Sequence, residues 1–284
     1  MKTLRECISD AVVNKVAIGH FNISNMEGLW GVFNAARALD VPVIIGVSEG
    51  EGEFIGLNQV SVLVKSLRDE FDYPIFLNAD HSYSFERVKK AIDCGFDAVI
   101  FDGTKLSFED NIKITKQCVD YAKNCGRDVV VEAELGYIGQ SSKVLDRIPD
   151  GVSMTTVDEA SEFVVSTGID MIAPAVGNIH GMLKSGVDPE LNIELIKGIK
   201  DATGLPLVLH GASGNSNDDI ENAIKNGVAI VHINTELRVA YRKGLERALS
   251  ENPNEVAPYK FLKIAVEEVQ KVATDKLKVF NRID

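Results

Sequence analysis

Eight short apolar runs punctuate this chain, and longer stretches of helical period separate them. They read "KVAIGHFNI" from Lys15, "VPVIIGVS" from Val41, "YPIFLNADHS" from Tyr73, "DAVIFDG" from Asp97, "DVVVEAELG" from Asp128, "DMIAPAVG" from Asp170, "LPLVLHGA" from Leu205 and "VAIVHINT" from Val228. The runs are apolar throughout rather than alternating, which implies strands buried on both faces and therefore a parallel sheet. The segments between them, such as "SFERVKKAIDCG" and "NSNDDIENAIKNG", open on Ser or Asn and close on Gly, the capping chemistry of helices. Eight such βα units in one chain predict a single (β/α)8 TIM barrel over residues 1–284, with a doubly wound open sheet as the alternative. The amphipathic stretch "APYKFLKIAVEEVQKVATDKLKVF" predicts an extra C-terminal helix that covers the barrel or meets another subunit. One irregular segment, "GYIGQSSKVLDRIPDGVSMTT" from Gly136, is long for a loop inside a compact domain, a property of functional loops.

Composition narrows the function classes. The formal charge of −12 argues against a nucleic-acid partner, which calls for a basic stripe. No apolar run reaches the roughly 18 residues needed to span a bilayer. The N-terminal segment has no secretory-signal pattern, so a cytoplasmic protein is expected. Cys7, Cys94, Cys118 and Cys125 include no CxxC pair and fit reduced, structural thiols.

The chemistry collects where the strands end. In a TIM barrel those ends converge on one mouth. The ends supply Asp80 and His81 from the third run, Asp102 from the fourth, and Glu132 and Glu134 from the fifth. His180 follows the sixth run, His210 ends the seventh, and His232, Asn234 and Thr235 end the eighth. The chain has only five histidines, and His81, His180 and His210 all fall at this rim. Neutral imidazole is a zinc ligand, and three protein ligands leave a fourth position open; cobalt or iron suits the same donors. His20, also in a strand, is read as a hydrogen-bonded structural residue.

Glycines beside two of the proposed ligands extend this reading. "NIHGMLK" and "LHGASG" let the backbone approach a ligand, and N–H groups at a loop-to-helix junction bind phosphate. A phosphate site after the seventh and eighth strands recurs in this barrel. A metal with an open position beside such a cradle suits a small phosphorylated carbonyl compound, whose enediolate the metal would stabilise as a Lewis acid. Asp80, next to the first ligand, is placed to pass a proton to or from a substrate hydroxyl. An isomerase, a barrel hydrolase and a non-catalytic sugar-phosphate binder are the competing classes.

Taken together and in this order, "NADHS", "VEAELG", "GNIHGMLK", "LHGASG" and "INTEL" resemble the class II, zinc-dependent fructose-bisphosphate aldolases and the related tagatose-bisphosphate enzymes. The resemblance runs from about Asn14 to the end of the chain. It implies reversible cleavage of a ketose 1,6-bisphosphate, with fructose 1,6-bisphosphate favoured, into dihydroxyacetone phosphate and an aldehyde phosphate. It implies that His81, His180 and His210 hold Zn2+, that Asp102 and Glu134 serve a second or displaced metal position, and that Asp80 is the proton donor and acceptor. Gly181, Lys184, Gly211, Ala212, Ser213, Asn234 and Thr235 match the dihydroxyacetone phosphate site, with His232 as a further substrate contact. A monovalent cation (Na+ or K+) near that phosphate and a homodimer or homotetramer are also implied.

Three departures from the family pattern stand out. Ser141 and Ser142 occupy the place of an acidic pair that supplies a base, leaving Asp146 and Asp150 as candidates for that role. His232 replaces an Asn that contacts substrate. Tyr259 and Lys260 stand near the place of an Arg that reaches a substrate phosphate.

Overall fold

A computed structural model describes residues 1–139 and 143–283. The eight apolar runs form eight parallel strands: β1 (Ile18–Asn22), β2 (Val43–Val47), β3 (Ile75–Ser82), β4 (Ala98–Phe101), β5 (Val130–Leu135), β6 (Met171–Pro174), β7 (Leu207–Leu209) and β8 (Val228–Ile233). Each strand pairs with its successor in sequence, and β8 returns to β1 with His20 opposite His232, so the sheet closes into a barrel. This is the (β/α)8 architecture expected from the sequence, rather than an open sheet. Among the described residues no helix is long and apolar enough to cross a membrane. All four cysteines are free.

The barrel interior changes character along the strands, because side chains two residues apart share one face. At the floor, Ile18, Ile44, Phe76, Val130 and Ile230 pack with Leu4, Cys7 and Ile8 of the N-terminal helix Leu4–Asn14, which plugs that end. Two residues further along the same strands come His20, Gly46, Asn78, Glu132 and His232. A further step reaches Asn22, Asp80 and Glu134. The inner face is thus apolar at the base and polar at the rim. Gly46 is fixed by this layering, since a Cβ there would sit 2.1 Å from the His20 ring. A second, larger apolar core lies between the outer face of the barrel and the surrounding helices.

The last helix, Pro258–Asn281, covers the barrel. It packs against helix Met26–Leu39, helix Thr235–Glu251 and β1. The buried ring of Phe280 stacks near Phe21, and the Phe280 carbonyl accepts the Ala17 N–H at 3.0 Å. The long segment after β5 carries a two-residue strand, Val144–Leu145, which pairs in parallel with Met182–Leu183 from the segment after β6. Apolar periodicity cannot register strands of two residues.

Candidate metal centre and active site

His81, His180 and His210 meet at the mouth, each offering a ring nitrogen within 4.8 Å of the other two. Local backbone geometry brings them there. His81 sits at a register irregularity between β3 and β4 with φ +50°, a left-handed conformation unusual for a residue with a Cβ. Gly211, with φ +62°, lets the segment bearing His180 lie directly against the end of β7. A Cβ there would stand 2.1 Å from the Ile179 carbonyl oxygen. Gly211→Ala is therefore expected to lower stability by about 2 kcal/mol or more and to weaken metal binding. Denaturant unfolding and a Zn2+ titration would measure both; an unchanged metal affinity would show that the spacing of the two rings tolerates the change.

The outer nitrogen of each ring is already engaged. His180 Nδ1 donates to the Gly139 carbonyl at 2.6 Å, which leaves Nε2 unprotonated in the neutral ring. His210 Nε2 lies 2.8 Å from Glu132 Oε1. His81 Nδ1 lies 2.6 Å from Glu134 Oε1 and 3.3 Å from Asp102 Oδ2. A carboxylate or carbonyl behind each imidazole is the arrangement that orients a metal ligand. The inner nitrogens His81 Nε2 and His210 Nδ1 are 3.3 Å apart. Two nitrogens each about 2.0–2.1 Å from one tetrahedral ion are separated by about 3.3–3.4 Å, so the donor set fits a small divalent ion. His81, Asp102 and Glu134 form a second potential donor group that shares the first ligand.

Burial and charge set the protonation of the metal-free rings. Burial holds His180 down at about 3, reinforced by the neighbouring His81 and His210. Burial opposes charge on His81 as well, but Asp80, Glu134 and Asp102 outweigh it and raise His81 well above the usual imidazole range. Asp102 is pulled down to about 2, its hydrogen bond and attraction to His81 overcoming the cost of burial. Asp80 also stays below the usual carboxylate range, because His81, His232 and His20 outweigh its burial. Its Oδ2 accepts from Asn22 Nδ2 at 2.8 Å, while Oδ1 is buried without a hydrogen bond, 3.4 Å from His232 Nδ1.

His232 lies between the rings of His210 and His20, with centroid separations of 4.0 and 3.5 Å. His20 itself is buried and meets Asn78 at 3.2 Å, in keeping with a structural role. The nearly parallel rings of His20 and His232, 5° apart, cannot both present lone pairs in plane to one ion between them. The cavity at the mouth is lined by Asp80, the three proposed ligands, His232, Gly181, Gly211, Ser213, Asn234 and Thr235. Helix Thr235–Glu251 begins there without a side-chain cap, so its first N–H groups favour an anion.

Other predicted site residues lie elsewhere. Ala212 is buried in the short 3-10 turn behind the mouth. Lys184 Nζ pairs with Asp146 Oδ1 at 2.6 Å, and both side chains are exposed. Asp150 pairs with Arg147, and Lys260 with Glu255, while Tyr259 is exposed. Ser141 and Ser142 lie outside the described residues. Sequence reasoning placed Glu132 at the rim without a role of its own, and did not single out Asn22 or the Gly139 carbonyl. Glu132 carried a signal, standing two residues before Glu134 on the same inner face of β5.

Fold and site together define an α/β-barrel enzyme whose candidate centre is a metal held by histidines beside a buried acid. Comparison with known proteins gives the family. The model for class-II fructose-bisphosphate aldolase matches residues 2–284. The chain belongs to that family, and is a metal-dependent carbon–carbon lyase. It is 37% identical over 281 residues to a fructose-bisphosphate aldolase of Geobacillus stearothermophilus, covering 98% of this chain and 96% of the relative. The same identity and coverage relate it to a fructose-bisphosphate aldolase of Staphylococcus aureus. Among solved structures it is similar to the YdjI aldolase of Escherichia coli K12, with 34% identity, a TM-score of 0.81, and coverage of 98% of this chain and 96% of that one.

Proposed function

We propose that this aldolase reversibly cleaves a ketose 1,6-bisphosphate, first among them fructose 1,6-bisphosphate, to dihydroxyacetone phosphate and glyceraldehyde 3-phosphate. The observation that carries the reading is the trio of imidazoles, each anchored from behind and converging on one point next to the Asp80 carboxylate. His81, His180 and His210 would hold the ion, with His81, Asp102 and Glu134 as a second position. The donors and their spacing favour Zn2+, which supplies Lewis-acid withdrawal of charge from the substrate carbonyl.

The chain's own residues do the rest. Asp80, kept ionised by its imidazole neighbours and oriented by Asn22, takes the proton of the C4 hydroxyl through Oδ1 as the C3–C4 bond breaks. The bonding pair stays on C3 of the three-carbon phosphate, which then takes a proton from water to become dihydroxyacetone phosphate; the C4 carbinol leaves as an aldehyde, and Asp80 gives its proton up to solvent. In synthesis Asp80 returns a proton to the new hydroxyl. Gly181, Gly211, Ser213 and the first turn of helix Thr235–Glu251 bind the phosphate of the triose through backbone N–H groups and one hydroxyl. Ala212, Asn234 and His232 shape this pocket, and Lys184 adds positive charge at its edge. A Na+ or K+ ion near the phosphate, a cytoplasmic location consistent with four free thiols, and a homodimer or homotetramer complete the reading.

The test is appearance of dihydroxyacetone phosphate from fructose 1,6-bisphosphate in a coupled assay, with tagatose 1,6-bisphosphate run alongside. Activity should vanish on chelation and return with Zn2+. A metal-loaded protein that releases the triose from neither sugar would overturn the proposal.

A further inference from the structure

The floor of the barrel, at the opposite end from the mouth, carries a trough of its own. It runs beside the N-terminal helix Leu4–Asn14, near the N-terminal ends of β5 to β8, and has two compartments that share Val12 and Lys200. The first, of about 370 Å³, is mostly apolar, with Ile8, Val13, Met171, Leu205 and Pro206 in its walls. Arg5, also in those walls, is engaged by Asp128 at 3.0 Å and by Asp170 at 2.7 Å. The second compartment, of about 270 Å³, is lined by Lys15, Lys197, Lys200 and Lys225. Among its described lining residues Asp201 is the one acid.

Four lysines around one cavity run against the charge of a chain that is −12 overall. Lys200 is built into the divide between the compartments. Its stem lies against Gly227, where a Cβ would stand 2.6 Å from Lys200 Cγ. Its Nζ donates to the Gly204 and Leu205 carbonyls at 3.1 and 3.0 Å, which fixes the ammonium and uses two of its three donors. Burial holds this ammonium below the ordinary lysine range, so it is short of solvation and gains from a neighbouring anion. Lys225 is shared with Glu221 at 3.3 Å. The exposed ammoniums of Lys15 and Lys197 have no ion-pair partner among the described residues.

We propose that this trough binds an amphiphilic phosphate, its phosphate among Lys15, Lys197 and Lys225 and its apolar body in the compartment beyond Lys200. The surplus of lysines over Asp201 suits a dianion better than a single carboxylate. The aliphatic walls of the first compartment suit an alkyl chain or the flat face of a nucleoside. A ketose bisphosphate, hydroxylated along its length, has no part that fits there. The site is therefore separate from the mouth and independent of the reaction assigned to it.

The experiment is calorimetric titration of the intact holoenzyme with octyl phosphate, adenosine 5′-monophosphate and inorganic phosphate. At least one of the first two should bind about 100-fold more tightly than inorganic phosphate, the scale of burying about half of an octyl chain. The tighter of the two identifies the body as alkyl or nucleoside. The double variant Lys15→Gln/Lys197→Gln should weaken that binding by about 10-fold, as expected of two solvent-exposed charge contacts. Lys200→Met should weaken it further. The double variant alters only exposed side chains, so it carries the test even where Lys200→Met does not fold. Equal affinities for the three probes would show that the apolar compartment takes no part and would overturn the inference. Unchanged affinity in the double variant would place the bound molecule elsewhere, the mouth included, and would overturn it too. So would an absence of binding by both octyl phosphate and adenosine 5′-monophosphate.

Discussion

Removing the divalent ion, by chelation or by His210→Ala, is expected to lower cleavage by about 10³-fold or more, the scale of several kcal/mol of transition-state charge stabilisation. His210 is the most informative ligand because it is tied on both sides. Its Nε2 faces Glu132 and its Nδ1 faces His81. Removing the ring abolishes one donor and strands a fully buried Glu132, whose carboxyl burial already pushes up. The metal-free variant should therefore also melt below the metal-free wild type. Metal loading carries a pH signature as well. His81 sits above the ordinary imidazole range in the free protein, so it is protonated at neutral pH and must lose that proton to bind. Loading weakens as pH falls and releases protons on binding, which calorimetry in buffers of different ionisation enthalpy detects. Full metal content and full activity in His210→Ala would remove this histidine from the centre.

Asp80→Ala should cut cleavage by about 10²–10⁴-fold, the usual contribution of a positioned acid–base group, while leaving metal content unchanged. Two separate features make the separation of effects a strong test. Asp80 is no member of the His81, His180 and His210 donor group, and its Oδ2 is held from β1 rather than by a ligand. Exchange of a C3 proton of dihydroxyacetone phosphate with solvent does not involve the hydroxyl at C4. The variant should keep that exchange while losing cleavage. Parallel loss of exchange, cleavage and metal would show that Asp80 supports the site instead of acting on the hydroxyl.

What sequence could and could not show follows from the range of the forces involved. Strands buried on both faces leave long apolar runs, so all eight were legible, and a residue at a strand end inherits its place from the barrel. That is why Asp80, His81 and His210 could be assigned to the mouth from position alone. His180 lies six residues beyond Pro174, the end of β6, and needed its Asn-Ile-His-Gly context to be recognised. The partners behind the ligands were not legible as partners: a carbonyl at Gly139 has no side-chain signature, and Glu132 could be placed at the rim but not paired with His210. The chain of contacts from Asp80 through Asn22 and Glu51 to Arg238 spans β3, β1, the segment after β2 and the helix after β8. No local pattern encodes such a path. Lys184 was placed by its motif, whereas the ion pair of its ammonium with Asp146 across the two short strands has no local signature.

The contact between Phe280 and β1 bears on how this barrel comes into being. The strand that holds Asn22 lies at the opposite end of the chain from its cover, with Ala17 bonded to the Phe280 carbonyl and Arg282 reaching the Lys15 carbonyl. During synthesis β1 leaves the ribosome early, yet its edge partner β8 and its cover are translated last. A nascent chain must carry that opening strand half-dressed until the closing helix has emerged, and only then can the staves of the barrel be hooped.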